Sequence, residues 1–137
     1  MKSIIGACLI GSVLLCAVRA QDPSKPVLRA GVSVQMAQAE HAVEVRAADE
    51  LDATVVAITQ AGKVYLGIKP TEAAALSSLR DQTVYLKADA RAPYQQILAV
   101  LDALRGKTVV LLTQSAANAA KPQGITWPYG VTLTMAR

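Results

Sequence analysis

Apolar residues recur along the chain with two different periods. In Gly31-Val32-Ser33-Val34-Gln35-Met36 every second position is apolar, which predicts a short half-buried strand with Val32, Val34 and Met36 as the strand-pairing candidates. Val55, Val56 and Ile58 predict another strand, Gln60-Ala61-Gly62-Lys63 a turn, and Val64-Tyr65-Leu66 the returning arm of a hairpin. Thr71 opens a helical stretch with Glu72 in its first turn and Ala74, Ala75, Leu76 and Leu79 as a modest apolar face. Residues 83–88 read as a strand, with Val84 and Leu86 on one face and Tyr85 and Lys87 on the other. Pro93 suits the first position of a helix that stops at Gly106. Along it Tyr94, Ile97, Leu98, Leu101 and Leu104 form one apolar stripe. Residues 108–113 are a continuous apolar run of strand length, suited to the centre of a sheet. Residues 130–135 repeat the alternation of 31–36, so the two segments pair with each other, pair with a second subunit, or stand as unrelated edge strands.

The order strand, strand, helix, strand, helix, strand predicts an α+β fold: a small mixed sheet of about four to five strands with two helices packed on one face. The compact unit is residues 53–113. Before it, residues 21–52 form a linker that contains strand 31–36 and an acidic tether. The tether carries Glu40, Glu44, Asp49, Glu50 and Asp52 against Arg46 alone, and its composition fits a solvated segment or a loose helix. After it, the tail 114–137 passes a small-residue loop at 115–120, Pro122, Gly124 and Pro128 before its terminal strand.

Residues 1–20 belong to a different class. Lys2 precedes an apolar run from Ile4 to Val18, and small residues then lead into Gln21-Asp22-Pro23, the pattern of a secretory signal with Val18 and Ala20 placed for cleavage between Ala20 and Gln21. As a helix the run is about 22 Å long, short of the roughly 30 Å of a bilayer core. The alternative is a short uncleaved anchor. The expected location is therefore periplasmic after export, or the inner membrane with a single pass and a periplasmic domain.

That segment changes the meaning of the composition. The formal charge of the 137 residues is +4, but Lys2 and Arg19 lie in the first twenty, and without them it falls to +2. The remaining basic residues are scattered rather than striped, which argues against a nucleic-acid partner. Both cysteines, Cys8 and Cys16, also lie in the export segment, so the rest has neither a disulfide nor thiol chemistry.

Catalytic constellations are missing. His41 is the only histidine and sits in the acidic tether, which reads as solvated rather than zinc-binding. Gly106-Lys107-Thr108 resembles the end of a phosphate loop, but Leu101 stands where that loop needs glycine, so the triplet reads as a helix stop and strand start. There is no Gly-x-Ser-x-Gly elbow, and Asp89 and Asp102 are the only acids from 82 to 137, with nothing to tune them apart. A non-enzyme without a cofactor is expected. Trp127, next to Pro128 and Tyr129, is a contact patch or a lid over the core.

Several motifs occur in the order found in one family. Val84-Tyr85-Leu86-Lys87-Ala88-Asp89 is an apolar strand ending in a basic residue, Ala and Asp. Pro93-Tyr94 follows, then Ile97, Val100, Asp102 and Leu104, and 109–113 as a closing strand. Upstream, Gly62-Lys63-Val64-Tyr65-Leu66 supplies a hairpin and 31–36 a Val-x-Val strand. Over most of 31–113 the chain resembles the periplasmic domain of the ExbD/TolR family of biopolymer transport proteins, with Lys87, Ala88, Asp89, Tyr94 and Asp102 as the family-motif residues. The resemblance implies a homodimer working beside an ExbB/TolQ-like membrane subunit or a TonB-like protein in a system energised by the proton-motive force. It also implies a short strand, after the anchor, that switches between free and sheet-bound states. Asp89 is expected to bond the turn that follows it, and Tyr94 to anchor the helix on the sheet while its hydroxyl reaches a polar partner. The alternative is a free periplasmic module that binds peptidoglycan or a partner protein and has lost the motor role. The chain departs from the family in three ways: the run from Ile4 to Val18 holds no Asp, Glu, Lys, Arg or His, so no proton-relay residue carries over; Ala37 stands where proline is usual; and the tail lies outside the resemblance.

Overall fold

The computed structural model describes residues 31–115 and 128–134. The export or anchor segment with Ala20 and Gln21, the linker at 21–30, most of the small-residue loop, and Trp127 lie outside the described residues. Eight strands form one mixed sheet: β1 (Gln38–Ala39), β2 (Val43–Glu44), β3 (Val55–Ile58), β4 (Val64–Leu66), β5 (Lys69–Thr71), β6 (Thr83–Ala88), β7 (Thr108–Ser115) and β8 (Tyr129–Thr134). One α-helix, α1 (Tyr94–Ala103), and two 3-10 segments, Arg46–Asp49 and Ala73–Ser78, complete the described elements. Among the described residues no helix is long and apolar enough to cross a membrane.

The strand order is β2-β8-β7-β6-β3-β4-β5. β6 runs parallel to β3 on one side and to β7 on the other, with Leu86 opposite Val56 and Leu111. Parallel neighbours need a crossover, and α1 supplies it between β6 and β7. β3 and β4 are antiparallel arms joined by a turn in which Gly62 has φ 78, a backbone conformation open to glycine. β5 closes one edge, where Pro70 is tolerated because an edge strand can do without one backbone donor. β1 pairs in parallel with Gln114 and Ser115, beyond the register in which β6 accompanies β7.

Both faces of the sheet are covered. Val56, Ile58, Val84, Leu86 and Val109 pack with Leu76, Val100 and Leu104 on the side of α1 and the second 3-10 segment. On the other face Tyr85, Val110 and Leu112 pack with Ala48 and Ala53, and Met36, Val45 and Val55 join them. The alternation expected along 83–88 is borne out, as is the central place of 108–113.

The expected fold class needs correction: the structure has neither a four- to five-stranded sheet nor two helices on one face. β1, β2 and β5 are two- or three-residue pieces with no periodicity of their own; their neighbours make them strands. The second expected helix is the 3-10 segment Ala73–Ser78. Thr71, expected to open it, is drawn into β5 opposite Val64, leaving six residues, too few for a stable α-helix. Ser77 and Ser78 then turn their hydroxyls back onto the carbonyls of Ala74 and Ala75.

Three further expectations change. Residues 31–36 alternate in burial as predicted, but pairing as a strand begins only at Gln38. The acidic tether is neither free nor α-helical: its 3-10 turn puts Ala48, 5% exposed, against the sheet while its acids point outward. The terminal strand is not at an edge and does not pair with 31–36; it lies between β7 and β2, matched to β7 from Thr108↔Thr134 to Thr113↔Tyr129.

Thr113 is 6% exposed, and its Oγ1 has no hydrogen-bond partner among the described residues. An unsatisfied buried hydroxyl costs about 1–3 kcal/mol of desolvation. Thr113→Val is therefore expected to raise stability by about 1 kcal/mol, read as a higher urea midpoint at unchanged slope. An unchanged or lower midpoint would mean that the hydroxyl has a partner.

Candidate functional site

Lys87, Ala88 and Asp89, the residues expected to form a motif, stand where β6 leaves the sheet. Val84 and Leu86 are held in the core on the α1 side, so alternation sends Lys87 to the opposite face. There its Nζ donates to the carbonyl of Val32 at 3.0 Å. Ala88 packs into the α1-side core opposite Ile58, and the Asp89 N–H continues the ladder by donating to the Ile58 carbonyl at 2.9 Å.

The side chain of Asp89 is 5% exposed and fully engaged. Its Oδ1 accepts from the Arg91 N–H at 3.0 Å and from Arg91 Nε at 3.0 Å, and Oδ2 accepts from Arg91 Nη2 at 3.3 Å and from the Gln35 N–H at 3.1 Å. The Ala90 N–H in turn donates to the Gln35 carbonyl at 2.8 Å. Both backbone groups of Gln35 are thus satisfied by residues 89 and 90, which makes one step of strand-like pairing with a carboxylate standing in for a carbonyl. Downstream, the Gln114 N–H donates to the Ala37 carbonyl at 2.9 Å, and β1 begins. Residues 32–39 are held by backbone bonds at Val32, Gln35 and Ala37, while Met36 packs on the second apolar cluster. Val32 and Val34 are half-buried.

Hydrogen bonds from the Arg91 side chain, then from the Arg91 and Gln35 N–H groups, hold the Asp89 carboxyl well below the usual carboxylate range, against the opposing effect of burial. A carboxylate kept so acidic stays ionised and is a poor proton acceptor near neutrality, so its chemistry here is binding. Because its folded value lies below the ordinary 3.8, its contribution to holding the segment is complete above that value and is lost as pH falls from there toward the depressed one. The Gln35 amide is accordingly expected to stay protected from hydrogen exchange at pH 4 and to lose protection only in stronger acid. In Asp89→Asn, Gln35 and Arg91 amides are expected to exchange about tenfold faster at neutral pH, the scale of a lost charge-assisted bond, with β6 and β7 unchanged. Unaltered exchange at Gln35 would remove Asp89 from this role.

The bond expected from Asp89 to the following turn is present. Arg91 and Gln35 escaped the sequence reading, although Asp-x-Arg carries a signal for one of them, since a carboxylate readily accepts the N–H two residues on. The expectation for Tyr94 is corrected. It is 73% exposed, its hydroxyl bonds nothing among the described residues, and Val100 is the fully buried residue of α1. A stripe through Ile97, Val100, Leu101 and Leu104 packs on the sheet, and Leu98 is 45% exposed. Asp102 is exposed and pairs with Arg105 one turn on; no hydrogen bond or ion pair joins it or Tyr94 to Lys87 or Asp89 among the described residues. Gly106, with φ 82, ends the helical region as expected, and Thr108 opens β7. His41 is exposed, and among the described residues no group of three or more His, Cys, Asp or Glu is placed to hold a metal.

Comparison of the chain with protein-family models, curated proteins and solved structures finds no match.

Proposed function

We propose that the protein is an ExbD/TolR-like accessory component of a transport or envelope-maintenance system coupled to the proton-motive force. It works through periplasmic protein contacts and does not itself conduct protons. The observation that supports this reading is the grip of Lys87 and Asp89, both family-motif residues, on residues 32–35. The grip uses the backbone of Val32 and Gln35, so it does not depend on the side chains of the bound segment. Extended segments that add to a sheet in this way exchange readily for others of different sequence. In the bound state residues 31–39 are stowed on the domain; released, they are available to a partner. The absence of Asp, Glu, Lys, Arg and His from Ile4 to Val18 supports a role without proton passage.

The test is crosslinking in intact cells from a photoreactive residue at Val34, in the full chain and in Asp89→Asn. Capture of an ExbB/TolQ-like membrane subunit or a TonB-like protein, increased in Asp89→Asn, is the expected result. Capture of neither overturns the motor reading. If the purified protein is instead retained on peptidoglycan, the function passes to cell-wall scaffolding.

A further inference from the structure

A second polar feature lies at the opposite end of β3 and β6 from Asp89. The chain leaving the Arg46–Asp49 turn, Thr54 before β3, Asp81 before β6 and the first residues of β6 line a shallow, open recess of about 300 Å³. Three carboxylates line it, Glu50, Asp52 and Asp81, with the hydroxyl-bearing Thr54, Thr83 and Tyr85 between them and no basic residue. Asp81 accepts the Thr54 hydroxyl on Oδ2 at 2.5 Å, and its Oδ1 has no partner among the described residues. Asp52 makes no hydrogen bond or ion pair there. Lys107 reaches the same loop but donates its ammonium to the backbone carbonyls of Leu79 and Asp81.

Tyr85 carries the argument beyond a cluster of acids. Its ring packs with Ala48, Ala53, Val110 and Leu112, and the residue is only 9% exposed. Its hydroxyl bonds nothing among the described residues, yet it is not sealed off: among those residues Thr113 Oγ1 alone is a side-chain polar atom both partnerless and closed to solvent. The phenol oxygen therefore opens on the recess whose wall Tyr85 forms. A nine-tenths buried tyrosine ordinarily finds a partner for that group. Here none of the described residues supplies it.

The chemistry of the missing partner follows from the lining. Glu50 already has an interaction of its own, so the charges open to a ligand are those of Asp52 and Asp81, and they call for a cation. A bare metal ion does not fit, because among the described residues these carboxylates do not converge as a metal-ligand group. A planar cation with several donors spread over its edge does fit: a guanidinium offers five N–H groups in a fixed fork to acceptors set apart from one another. Free arginine would bring its own carboxylate into the field of three acids, whereas an arginine within a polypeptide brings none. We propose that the recess between Asp52, Asp81 and Tyr85 is a binding site for an arginine side chain on a partner polypeptide.

The site is separate from the segment-holding residues at Lys87 and Asp89, and its test is independent of crosslinking at Val34. The ¹⁵N-labelled full chain is titrated with acetyl-Gly-Arg-Gly-amide, with the same peptide carrying neutral citrulline, and with calcium chloride. Saturable shifts of the Asp52, Thr54, Asp81 and Tyr85 amides with the arginine peptide alone are expected. Tyr85→Phe keeps the ring in the core and is expected to weaken binding about tenfold, the scale of one hydrogen bond to a charged group; Asp81→Asn should weaken it as well. Absence of saturable shifts overturns the proposal. So do equal shifts with the citrulline peptide, the same shifts with calcium alone, or binding unaffected by both substitutions.

Discussion

Leu86→Ala is expected to lower the unfolding free energy by about 3 kcal/mol, within the range for truncating a fully buried leucine. Leu86 is 0% exposed and sits in β6, between Val56 of β3 and Leu111 of β7. Its side chain shares the core on the α1 side with Val100 and Leu104. Neighbours on both sides are fixed by parallel ladders, so the sheet has little freedom to collapse into the space left by the lost methyl groups, and the cavity adds to the transfer cost. The contrast is Leu98→Ala, expected to change stability by no more than about 0.5 kcal/mol, because Leu98 lies on the outer side of α1. Urea unfolding of the two variants measures both. Equal costs would mean that the apolar stripe beginning at Tyr94, and not the one through Val100, faces the sheet.

Gly130→Val is expected to cost about 3 kcal/mol or more, at the upper end for overpacking. Gly130 lies in β8 opposite Leu112 of β7 and Val43 of β2. A Cβ at this position would come within 2.8 Å of Val110 Cγ1, 3.1 Å of the Leu111 carbonyl oxygen and 3.3 Å of Val45 Cγ2. The second of these is backbone in a central strand and has nowhere to go. The expected consequence is local as well as global. β8 should detach along much of its length, and amide exchange should rise on the β8-facing side of β7 while the β3–β6 pairing keeps its protection. Gly31→Ala is the control, with nothing within 4 Å of its would-be Cβ. A Gly130→Val protein as stable as the parent would place the terminal strand away from β7.

These two residues mark how much of the fold the residue pattern makes legible. Leu86 is readable as core because the alternation of Val84 and Leu86 with Tyr85 and Lys87 survives in the structure unchanged. Gly130 is readable as the start of an alternating segment, but nothing local says that this segment enters between β7 and β2, because its β2 partner Val43 lies near the other end of the described chain. The same division runs through the candidate site. Asp89 and Lys87 can be picked out as the polar end of an apolar strand. Their true counterparts, the backbone groups of Val32 and Gln35, carry no residue signature at all, since any amino acid except proline offers the same N–H and C=O. The recess is harder still: Glu50 and Asp52 come from what reads as a solvated tether and join Asp81 only because Ala48 and Ala53, small enough to lie flat, pack that tether onto Tyr85.

The sequence by itself determined the strands marked by their own apolar run or alternation, at 55–58, 83–88 and 108–113, and, through the turn before it, the short hairpin arm at 64–66. It also determined the hairpin turn at Gly62 and the helix between Pro93 and Gly106. Tertiary structure alone decided how many strands the sheet has, because pieces of two or three residues have no period and become strands only when a neighbour supplies hydrogen bonds. It decided which face of α1 is buried, since five large apolar residues on ten positions allow two overlapping stripes and only packing against the sheet selects one. It also put an acid-rich segment on the second face of the sheet, where Ala47 and Ala48, with Val45 beside them, bring the chain into contact.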